Sequence, residues 1–234
     1  KSDLNNSKDI DKIINIIKKN NIKFIVNFAS QGMVAESWIT PQDWYQTNVV
    51  SSSILINKLQ KLKVKKYLNF STPEVYGNTE GLIKENDFFK PSTPYAVSRS
   101  AQDLNLKAHF HTFNFPVVFT RAANVYGPHQ QLYRIIPKTI IKSLKKETLE
   151  LHGGGKSIRS FIHINDVSNA LYKILFDKKN TGETYHISTK EFISIKNLVK
   201  KIHKILNKKT KVINVDERSG KDFGYFLNSN KLIR

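Results

Sequence analysis

The chain has 234 residues, 39% of them hydrophobic, so it is long enough to bury a sizeable core. It contains no cysteine, which excludes a disulfide framework and a zinc site with cysteine ligands. The formal net charge is +19, but all except six of the 38 basic residues are lysines, spread over successive predicted helices. We therefore expect solvated helix faces and no nucleic-acid partner.

Amphipathic and apolar segments alternate along the chain. Helices are predicted over residues 10–20, 41–63, 95–113, 137–145, 166–176 and 194–206. Strands are predicted over residues 24–29, 66–71, 116–121, 183–188 and 211–215. This alternation is typical of an α/β fold with a parallel sheet and helices on both faces. No apolar run is long enough to span a bilayer, so we expect no membrane association and a cytoplasmic location.

A tyrosine and an arginine lie four residues apart where the third helix begins. Tyr95 and Arg99 follow the sequence Pro-Ser-Thr-Pro at residues 91–94, and prolines favour the first turn of a helix. At this spacing the two side chains share a helix face, where a cation stabilises a phenolate. The pattern predicts a pKa of Tyr95 below the ordinary value of ~10, and a tyrosine that can act as a general base.

Polar side chains follow two of the predicted strands. The strand over residues 66–71 is followed by Thr72 and Glu74, and the strand over residues 116–121 is followed by Asn124. In open parallel sheets, ligands bind at the carboxyl ends of the strands. We therefore expect these side chains to face one cleft.

In order and spacing, these segments resemble the extended short-chain dehydrogenases/reductases that modify nucleotide sugars, over nearly the whole chain. The sequence Ser-Thr-Pro-Glu-Val-Tyr-Gly at residues 71–77 resembles the active-site strand end of the sugar 4,6-dehydratases in that family. The resemblance implies a Rossmann-like sheet, NAD as cofactor and a nucleotide-diphosphate sugar as substrate in carbohydrate biosynthesis. It also implies a homodimer formed through the helices over residues 41–63 and 95–113.

The resemblance also implies a role for individual residues. The implied catalytic residues are Tyr95, Thr72, Glu74 and Arg99. Tyr95 takes the proton of the sugar 4-hydroxyl, and Thr72 hydrogen-bonds that oxygen. Glu74 removes the C5 hydrogen, and Arg99 holds the ribose of the cofactor. The implied cofactor-binding residues are Asp3, Leu4, Phe28, Ala29, Ser30, Thr47, Tyr95 and Arg99. The implied substrate-binding residues are Asn124, Arg134, Arg159 and Arg218. No metal is expected, since His109 and His111, the one close histidine pair, point to different helix faces.

Two residues depart from the family pattern. Arg99 stands where the family has a lysine; it keeps the positive charge but cannot release a proton. Pro73 stands where the dTDP-glucose dehydratases place an aspartic acid as general acid. Mannose 4,6-dehydratases and sugar-acid decarboxylases also lack that aspartate, so Pro73 weakens the dTDP-glucose assignment more than the dehydratase assignment.

The family's opening strand and glycine-rich turn, which receive the cofactor pyrophosphate, have no counterpart in this sequence. We therefore expect a fragment of a longer enzyme, one that binds NAD poorly and is inactive by itself. Residues 1–127 and 157–188 are predicted to form the NAD-binding domain. Residues 128–156 and 189–234 are predicted to form a small, interleaved α/β lobe that binds the nucleotide sugar.

The predicted function is that of an NAD-dependent nucleotide-sugar 4,6-dehydratase, a lyase that oxidises C4, removes water across C5 and C6, and returns the hydride to C6. A nucleotide-sugar 4-epimerase is the first alternative; it needs no base at C5, so the role of Glu74 separates the two. A catalytically silent nucleotide-sugar-binding protein is the second, favoured by Arg99 and by the lack of the glycine-rich turn.

Overall fold

The computed structural model describes residues 1–217, 220 and 223–233. Within these residues the helices are α1 (Ser7–Lys19), α2 (Pro41–Tyr45), α3 (Ser52–Gln60), α4 (Pro94–Phe113), α5 (Ile135–Lys145), α6 (Ile164–Phe176), α7 (Ile195–Leu206) and α8 (Asn230–Ile233). The strands are β1 (Phe24–Asn27), β2 (Lys66–Ser71), β3 (Leu82–Ile83), β4 (Val117–Ala122), β5 (Asn124–Tyr126), β6 (Leu149–His152), β7 (Ile158–Arg159), β8 (Phe161–His163), β9 (Thr184–Ile187), β10 (Ile193–Ser194), β11 (Val212–Val215) and β12 (Phe226–Leu227).

The central sheet has four parallel strands in the order β1-β2-β4-β9. Tyr67 of β2 lies opposite Val117 of β4, and Ser71 lies opposite Arg121, so the two strands end at the same edge. The predicted parallel sheet is confirmed, and its carboxyl edge is where a ligand cleft is expected.

Helices cover both faces of this sheet, as predicted. Tyr67 belongs to a buried cluster with residues of α1, α3 and α4, among them Ile10, Leu59 and Leu106. The next residue along β2, Leu68, belongs to a second buried cluster with residues of α6. Successive strand residues point to opposite faces, which is why both faces carry a core.

Shorter strand pairs and helices surround the carboxyl edge of the sheet. β6 pairs with β11, and β5 with β8, all in parallel; β7 pairs antiparallel with β10. Helix α5 packs against α7. The division into two domains with the boundaries given above stays a prediction. Among the described helices, none combines the length and the apolar character needed to cross a membrane.

The helix predicted over residues 41–63 is present as continuous helical backbone over residues 41–60. A π-helical turn over Gln46–Ser51 lies between α2 and α3. Such turns insert an extra residue and mark a local demand on a side chain. Here the fully buried Asn48 accepts a hydrogen bond from the Gln31 amide at 2.8 Å and donates to the Gln31 carbonyl at 3.0 Å and to Ser98 Oγ at 2.9 Å.

Helix α4 begins at Pro94, as the proline pattern predicts. Thr93 is the N-cap residue, and its hydroxyl accepts a hydrogen bond from the Ala96 amide at 3.1 Å. Proline at the first helical position has no amide hydrogen to leave unpaired. The cap fixes the direction of the first turn, which carries Tyr95.

Candidate active site

A large cleft opens at the carboxyl ends of β2 and β4, with a volume of about 1130 Å³. It is large enough for more than one small molecule. Of the residues predicted for the site, those lining the cleft are Phe28, Ser30, Thr72, Glu74, Tyr95, Arg99, Asn124, Arg134 and Arg159. The structure thus brings together all four predicted catalytic residues, whose roles remain predictions.

The phenol of Tyr95 interacts with the side chain of Thr72. Burial raises the pKa of Tyr95 above its ordinary value, while Arg99 lowers it and Glu74 raises it. The prediction of a lowered pKa is therefore wrong, because desolvation of the phenolate outweighs the nearby guanidinium.

Arg99 is almost completely buried, with 2% of its surface exposed. One terminal nitrogen, Nη2, donates to the carbonyl oxygen of Phe70 on β2. Its Nε is buried and has no hydrogen-bond partner among the described residues. The planar guanidinium therefore braces the strand end through a directed hydrogen bond, and its fixed geometry differs from that of a lysine ammonium.

Glu74 lies on a short 3-10 turn, Pro73–Tyr76, that follows β2 directly. Thr72 caps this turn, since its hydroxyl oxygen accepts a hydrogen bond from the Glu74 amide at 3.3 Å. Pro73, at the start of the turn, is buried and has no titratable group. Thr72 therefore contacts both the phenol of Tyr95 and the backbone that carries the carboxylate.

The predicted substrate-binding arginines differ in their surroundings. Arg134 is exposed beside Tyr133, with the guanidinium carbon 5.4 Å from the ring centroid. Arg159 donates from Nη1 to the carbonyl oxygens of Ile158 and Phe223, both at 2.8 Å. Arg159 thus holds a second segment of the chain against the cleft wall. Arg218 lies outside the described residues.

Several predicted cofactor-binding residues do not line the cleft. Thr47 accepts a hydrogen bond from Asn5 Nδ2 at 3.0 Å, and Asp3 accepts one from the Asn5 amide at 2.9 Å. Leu4 packs against the core cluster of α1 and α3. Ala29 is exposed next to the cleft residue Phe28. Their cofactor contacts stay predictions, and the structure gives them no place in the cleft wall.

Sequence reasoning missed Tyr225, which is buried in the cleft wall. Its hydroxyl donates to Asn124 Oδ1 at 3.4 Å, and the guanidinium carbon of Arg159 lies 4.8 Å from its ring centroid. Burial raises the pKa of Tyr225, so the phenol stays neutral. A lone tyrosine more than a hundred residues from Asn124 in sequence carries no local signal, which is why the pattern did not reveal it.

Within the described part of the chain, no three histidine, aspartate or glutamate side chains lie close enough together to hold a metal ion. The polar groups of the cleft include hydroxyls, guanidinium groups and the Glu74 carboxylate, which influences the pKa of the Tyr95 phenol. Guanidinium groups suit phosphate, and the hydroxyl, phenol and carboxylate suit proton transfer at a substrate.

Comparison with known proteins gives one family for most of the chain. Residues 2–188 match the NAD dependent epimerase/dehydratase family. The dTDP-D-glucose 4,6-dehydratase of Bos taurus is 31% identical over 219 residues, which cover 90% of this chain and 61% of the bovine protein. The chain thus spans about three-fifths of the length of that relative.

Solved structures show the same fold. The dTDP-glucose 4,6-dehydratase DesIV from Streptomyces venezuelae, solved with NAD bound, superposes with a TM-score of 0.91 at 27% identity; the match covers 99% of this chain and 70% of DesIV. A UDP-glucuronic acid 4-epimerase from Bacillus cereus, in complex with UDP-glucuronic acid and NAD, superposes with a TM-score of 0.90 at 26% identity, over 99% of this chain and 72% of the epimerase.

Proposed function

The chain belongs to the NAD-dependent epimerase/dehydratase family, and from this premise we propose that it acts as a nucleotide-sugar 4,6-dehydratase. The position of Glu74 supports this most directly. Its carboxylate shares one cleft with Thr72 and Tyr95 and influences the pKa of the Tyr95 phenol. An epimerase reacts at C4 alone, whereas dehydration also needs a base for the C5 hydrogen, and Glu74 is suited to that task.

The cleft offers groups that suit NAD. Arg99 lines the wall, and its guanidinium is a donor that suits a ribose hydroxyl. Phe28 and Ser30 line the same cleft. NAD, when bound, supplies the acceptor for the C4 hydride and returns that hydride to C6.

The first proton transfer falls to Tyr95. The phenolate takes the proton of the sugar 4-hydroxyl while Thr72 hydrogen-bonds the same oxygen. Because burial raises the pKa of Tyr95, the positive charge of Arg99 is needed to make the phenolate accessible. Arg99 therefore acts as an electrostatic partner of the base, a role that needs charge but no proton.

The second proton transfer falls to Glu74. The C4 ketone acidifies the C5 hydrogen, and the carboxylate accepts that proton. Pro73 has no proton to give, so the protonated Glu74 returns its proton to the C6 hydroxyl, which leaves as water. One carboxyl group thus serves both halves of the elimination: the C5–H and C6–O bonds break and the C5–C6 double bond forms. When the hydride adds to C6, that double bond is consumed and C5 takes a proton from solvent through the Glu74 carboxyl group.

Arginines suit the diphosphate of the substrate. Arg134 and Arg159 line the cleft, and guanidinium groups bind phosphate in a bidentate manner. We propose the same role for Arg218, on the sequence pattern alone. The nucleotide-diphosphate sugar would then lie with its phosphates toward these arginines and its sugar toward Tyr95.

We also propose a homodimer and a cytoplasmic location. Apolar side chains of the segment over residues 46–60 and of α4 are exposed: Val50 by 46%, Ile54 by 40%, Val97 by 40% and Leu104 by 52%. Such a face is typical of a helix-to-helix contact between subunits. Light scattering would test the dimer, since Leu104→Lys should give monomers. NAD and nucleotide sugars are metabolites of the cytoplasm.

The test compares the whole protein with its Glu74→Gln variant, and Glu80→Gln serves as the matched control on an exposed residue outside the cleft. Each protein is incubated with NAD and several nucleotide hexoses in heavy water, and the masses of the products are measured by mass spectrometry. Dehydration gives a product that has lost one water and carries solvent deuterium at C5. Glu74→Gln should lower deuterium incorporation by about 10²–10⁴-fold, and Glu80→Gln should not.

Other outcomes would overturn the proposal. A change of C4 configuration without a change of mass, untouched by Glu74→Gln, would identify an epimerase. Binding of nucleotide hexoses with no turnover in any preparation would identify a silent binding protein.

A further inference from the structure

Four polar side chains lie fully or almost fully buried behind the cleft and do not line it. Asp103 of α4 and Arg121 of β4 form an ion pair, with 3.0 Å between Oδ2 and Nη2 and both side chains completely buried. Tyr76 and His186 lie next to Arg121, with 4% and 0% of their surfaces exposed. Buried charges are costly unless they are paired and hydrogen-bonded, so a group of this kind needs an explanation.

One side of this group holds the end of β2. Asp103 accepts a hydrogen bond from Ser71 Oγ at 2.7 Å and one from Asn69 Nδ2 at 2.9 Å. Ser71 immediately precedes Thr72, whose hydroxyl contacts Tyr95. The carboxylate of Asp103 thus fixes the strand end on which the hydroxyl of the cleft is placed.

The other side holds the turn that carries Glu74. Arg121 Nη1 donates to the hydroxyl oxygen of Tyr76, the last residue of that turn, and to the Asn86 carbonyl at 3.2 Å. The Tyr76 hydroxyl lies 2.8 Å from His186 Nε2. Arg121 therefore links the strand end and the turn through one rigid guanidinium.

The hydrogen atoms of this hydrogen-bonded group are assigned from their partners. The Tyr76 hydroxyl lies 3.4 Å from the Asn86 carbonyl oxygen and 2.8 Å from His186 Nε2, so the shorter contact is assigned its proton. His186 Nδ1 lies 3.2 Å from the carbonyl oxygen of Asn228, which can only accept, so Nδ1 carries the proton. Nε2 is then the acceptor and the Tyr76 hydroxyl donates to it, which leaves the phenol oxygen to accept from Arg121. The direction of donation therefore runs from Arg121 through Tyr76 and His186 to Asn228.

Asn228 follows the segment that contains Tyr225 and the short strand β12, which pairs with β3. The group thus joins three parts of the site: the end of β2, the Glu74 turn and the chain segment that lines the opposite wall. None of its members contacts the space that a substrate would occupy.

We infer that Asp103, Arg121, Tyr76 and His186 form a positioning unit that sets the Glu74 carboxylate relative to Thr72 and Tyr95. The kinetic part of this inference rests on the proposed dehydratase function; the structural part, the ordering of the turn, does not. Loss of this unit should slow removal of the C5 hydrogen, which needs Glu74, more than oxidation at C4, which needs Tyr95.

Tyr76→Phe tests the inference in the full chain. It removes one oxygen atom, keeps the buried ring, and leaves Arg121 and His186 without their shared partner. Tyr67→Phe is the matched control, since Tyr67 is fully buried, its hydroxyl has no partner among the described residues, and it does not line the cleft. Asp103→Asn is a second variant that removes the charge and keeps the size.

Amide hydrogen exchange measures the turn itself. The Gly77 amide donates to the Glu74 carbonyl and the Lys90 amide to the Val75 carbonyl. In Tyr76→Phe both amides should exchange about tenfold faster, while amides within β2 keep the wild-type rate. Tyr67→Phe should leave all of them unchanged.

The kinetic readout separates positioning from general destabilisation. In Tyr76→Phe, deuterium incorporation at C5 should fall by about tenfold or more, while KM and the rate of C4 oxidation change little. Asp103→Asn also loosens the end of β2 that carries Thr72, so it should slow both steps. Equal slowing of both steps in Tyr76→Phe, or wild-type exchange at Gly77 and Lys90 in that variant, would overturn the inference. If wild type dehydrates no nucleotide sugar, the proposed function fails, and the exchange rates of the two amides still decide whether the unit orders the turn.

Discussion

The side chain of Thr72 lies beside the phenol of Tyr95 and lowers its pKa. The Thr72 hydroxyl accepts a hydrogen bond from the Glu74 amide at 3.3 Å. Thr72 thus connects α4 to the turn after β2, and one residue sets the distance between a phenol and a carboxylate. In the proposed reaction these groups act on neighbouring carbon atoms of one sugar, so a shared anchor is what successive proton transfers require.

Tyr95→Phe should leave binding of the nucleotide sugar almost unchanged and lower turnover by about 10²–10⁴-fold, because a phenol that takes part in proton transfer contributes about that much. Titration calorimetry measures the binding, and product formation measures the turnover. Tyr172→Phe, on the exposed outer side of α6, is the control and should keep both values. Turnover near the wild-type rate in Tyr95→Phe would remove this residue from the mechanism.

The pH dependence of C4 oxidation should report Tyr95. The base acts only when deprotonated, so the rate rises with pH as Tyr95 loses its proton, and burial moves that rise to higher pH. Arg99→Gln removes the cation that lowers the pKa of Tyr95, so the rise should move to still higher pH. Arg99→Lys keeps the charge and should stay closer to wild type.

The measurement is the single-turnover appearance of reduced nicotinamide between about pH 7 and 10. If the rate of C4 oxidation rises at the same pH in wild type and in Arg99→Gln, Arg99 does not affect the pKa of Tyr95. A loss of NAD binding in Arg99→Gln with no change in the pH of the rise would assign Arg99 to the cofactor alone.

The sequence was sufficient to predict the sheet, the start of α4 and the shared cleft of Thr72, Glu74 and Tyr95, because strand ends and a proline-marked helix start are local signals. It was insufficient for features that depend on packing between residues distant in sequence. Asn48 sits in a π-helical turn because it must bond Gln31 and Ser98, which are distant in sequence.

Dependence on long-range packing also explains why the direction of the Tyr95 pKa shift was predicted wrongly. A spacing of four residues shows that Arg99 is near Tyr95, but the extent of burial depends on every element that closes the cleft. Burial is the larger influence on the pKa of Tyr95, so the sign of the shift could not be obtained from the spacing. Tyr225 reaches the site for a related reason, since it is brought there by a segment far along the chain.

Gly77 closes the turn that carries Glu74, and its replacement should be costly. It has a φ of +64°, and a Cβ there would lie 2.2 Å from the carbonyl oxygen of Lys90. Gly81 has a φ of +77°, with no heavy atom within 4 Å of such a Cβ, and is therefore the matched control. Gly81→Ala should cost about 1–2 kcal/mol of the free energy of unfolding from backbone strain alone.

Gly77→Ala should cost about 1–3 kcal/mol more than Gly81→Ala, because the backbone must move to relieve the contact. Urea unfolding measures both losses. That movement should also displace the turn and lower deuterium incorporation at C5 in Gly77→Ala only. Equal destabilisation by the two variants would mean that the contact with Lys90 does not constrain the turn.

His186 should make the stability of the protein depend on pH in the acidic range. Burial, with the charge of Arg121 acting in the same direction, lowers the pKa of His186 from an ordinary value of 6.5 to about 3. Between these two values the unfolded chain binds a proton at this histidine and the folded chain does not. Stability therefore falls as pH falls below 6.5, by about 1.4 kcal/mol per pH unit from this group.

Urea unfolding of wild type and His186→Gln at pH 7, 6 and 5 would measure this contribution. Glutamine keeps a polar side chain beside Tyr76 but cannot gain a proton, so the variant should be less stable than wild type at pH 7 and lose stability less steeply toward pH 5. The difference in slope should be about 1.4 kcal/mol per pH unit, since all other titrating groups are common to the two proteins. Parallel slopes would mean that His186 is protonated in the folded protein, and the donation from Tyr76 to Nε2 would then be wrong.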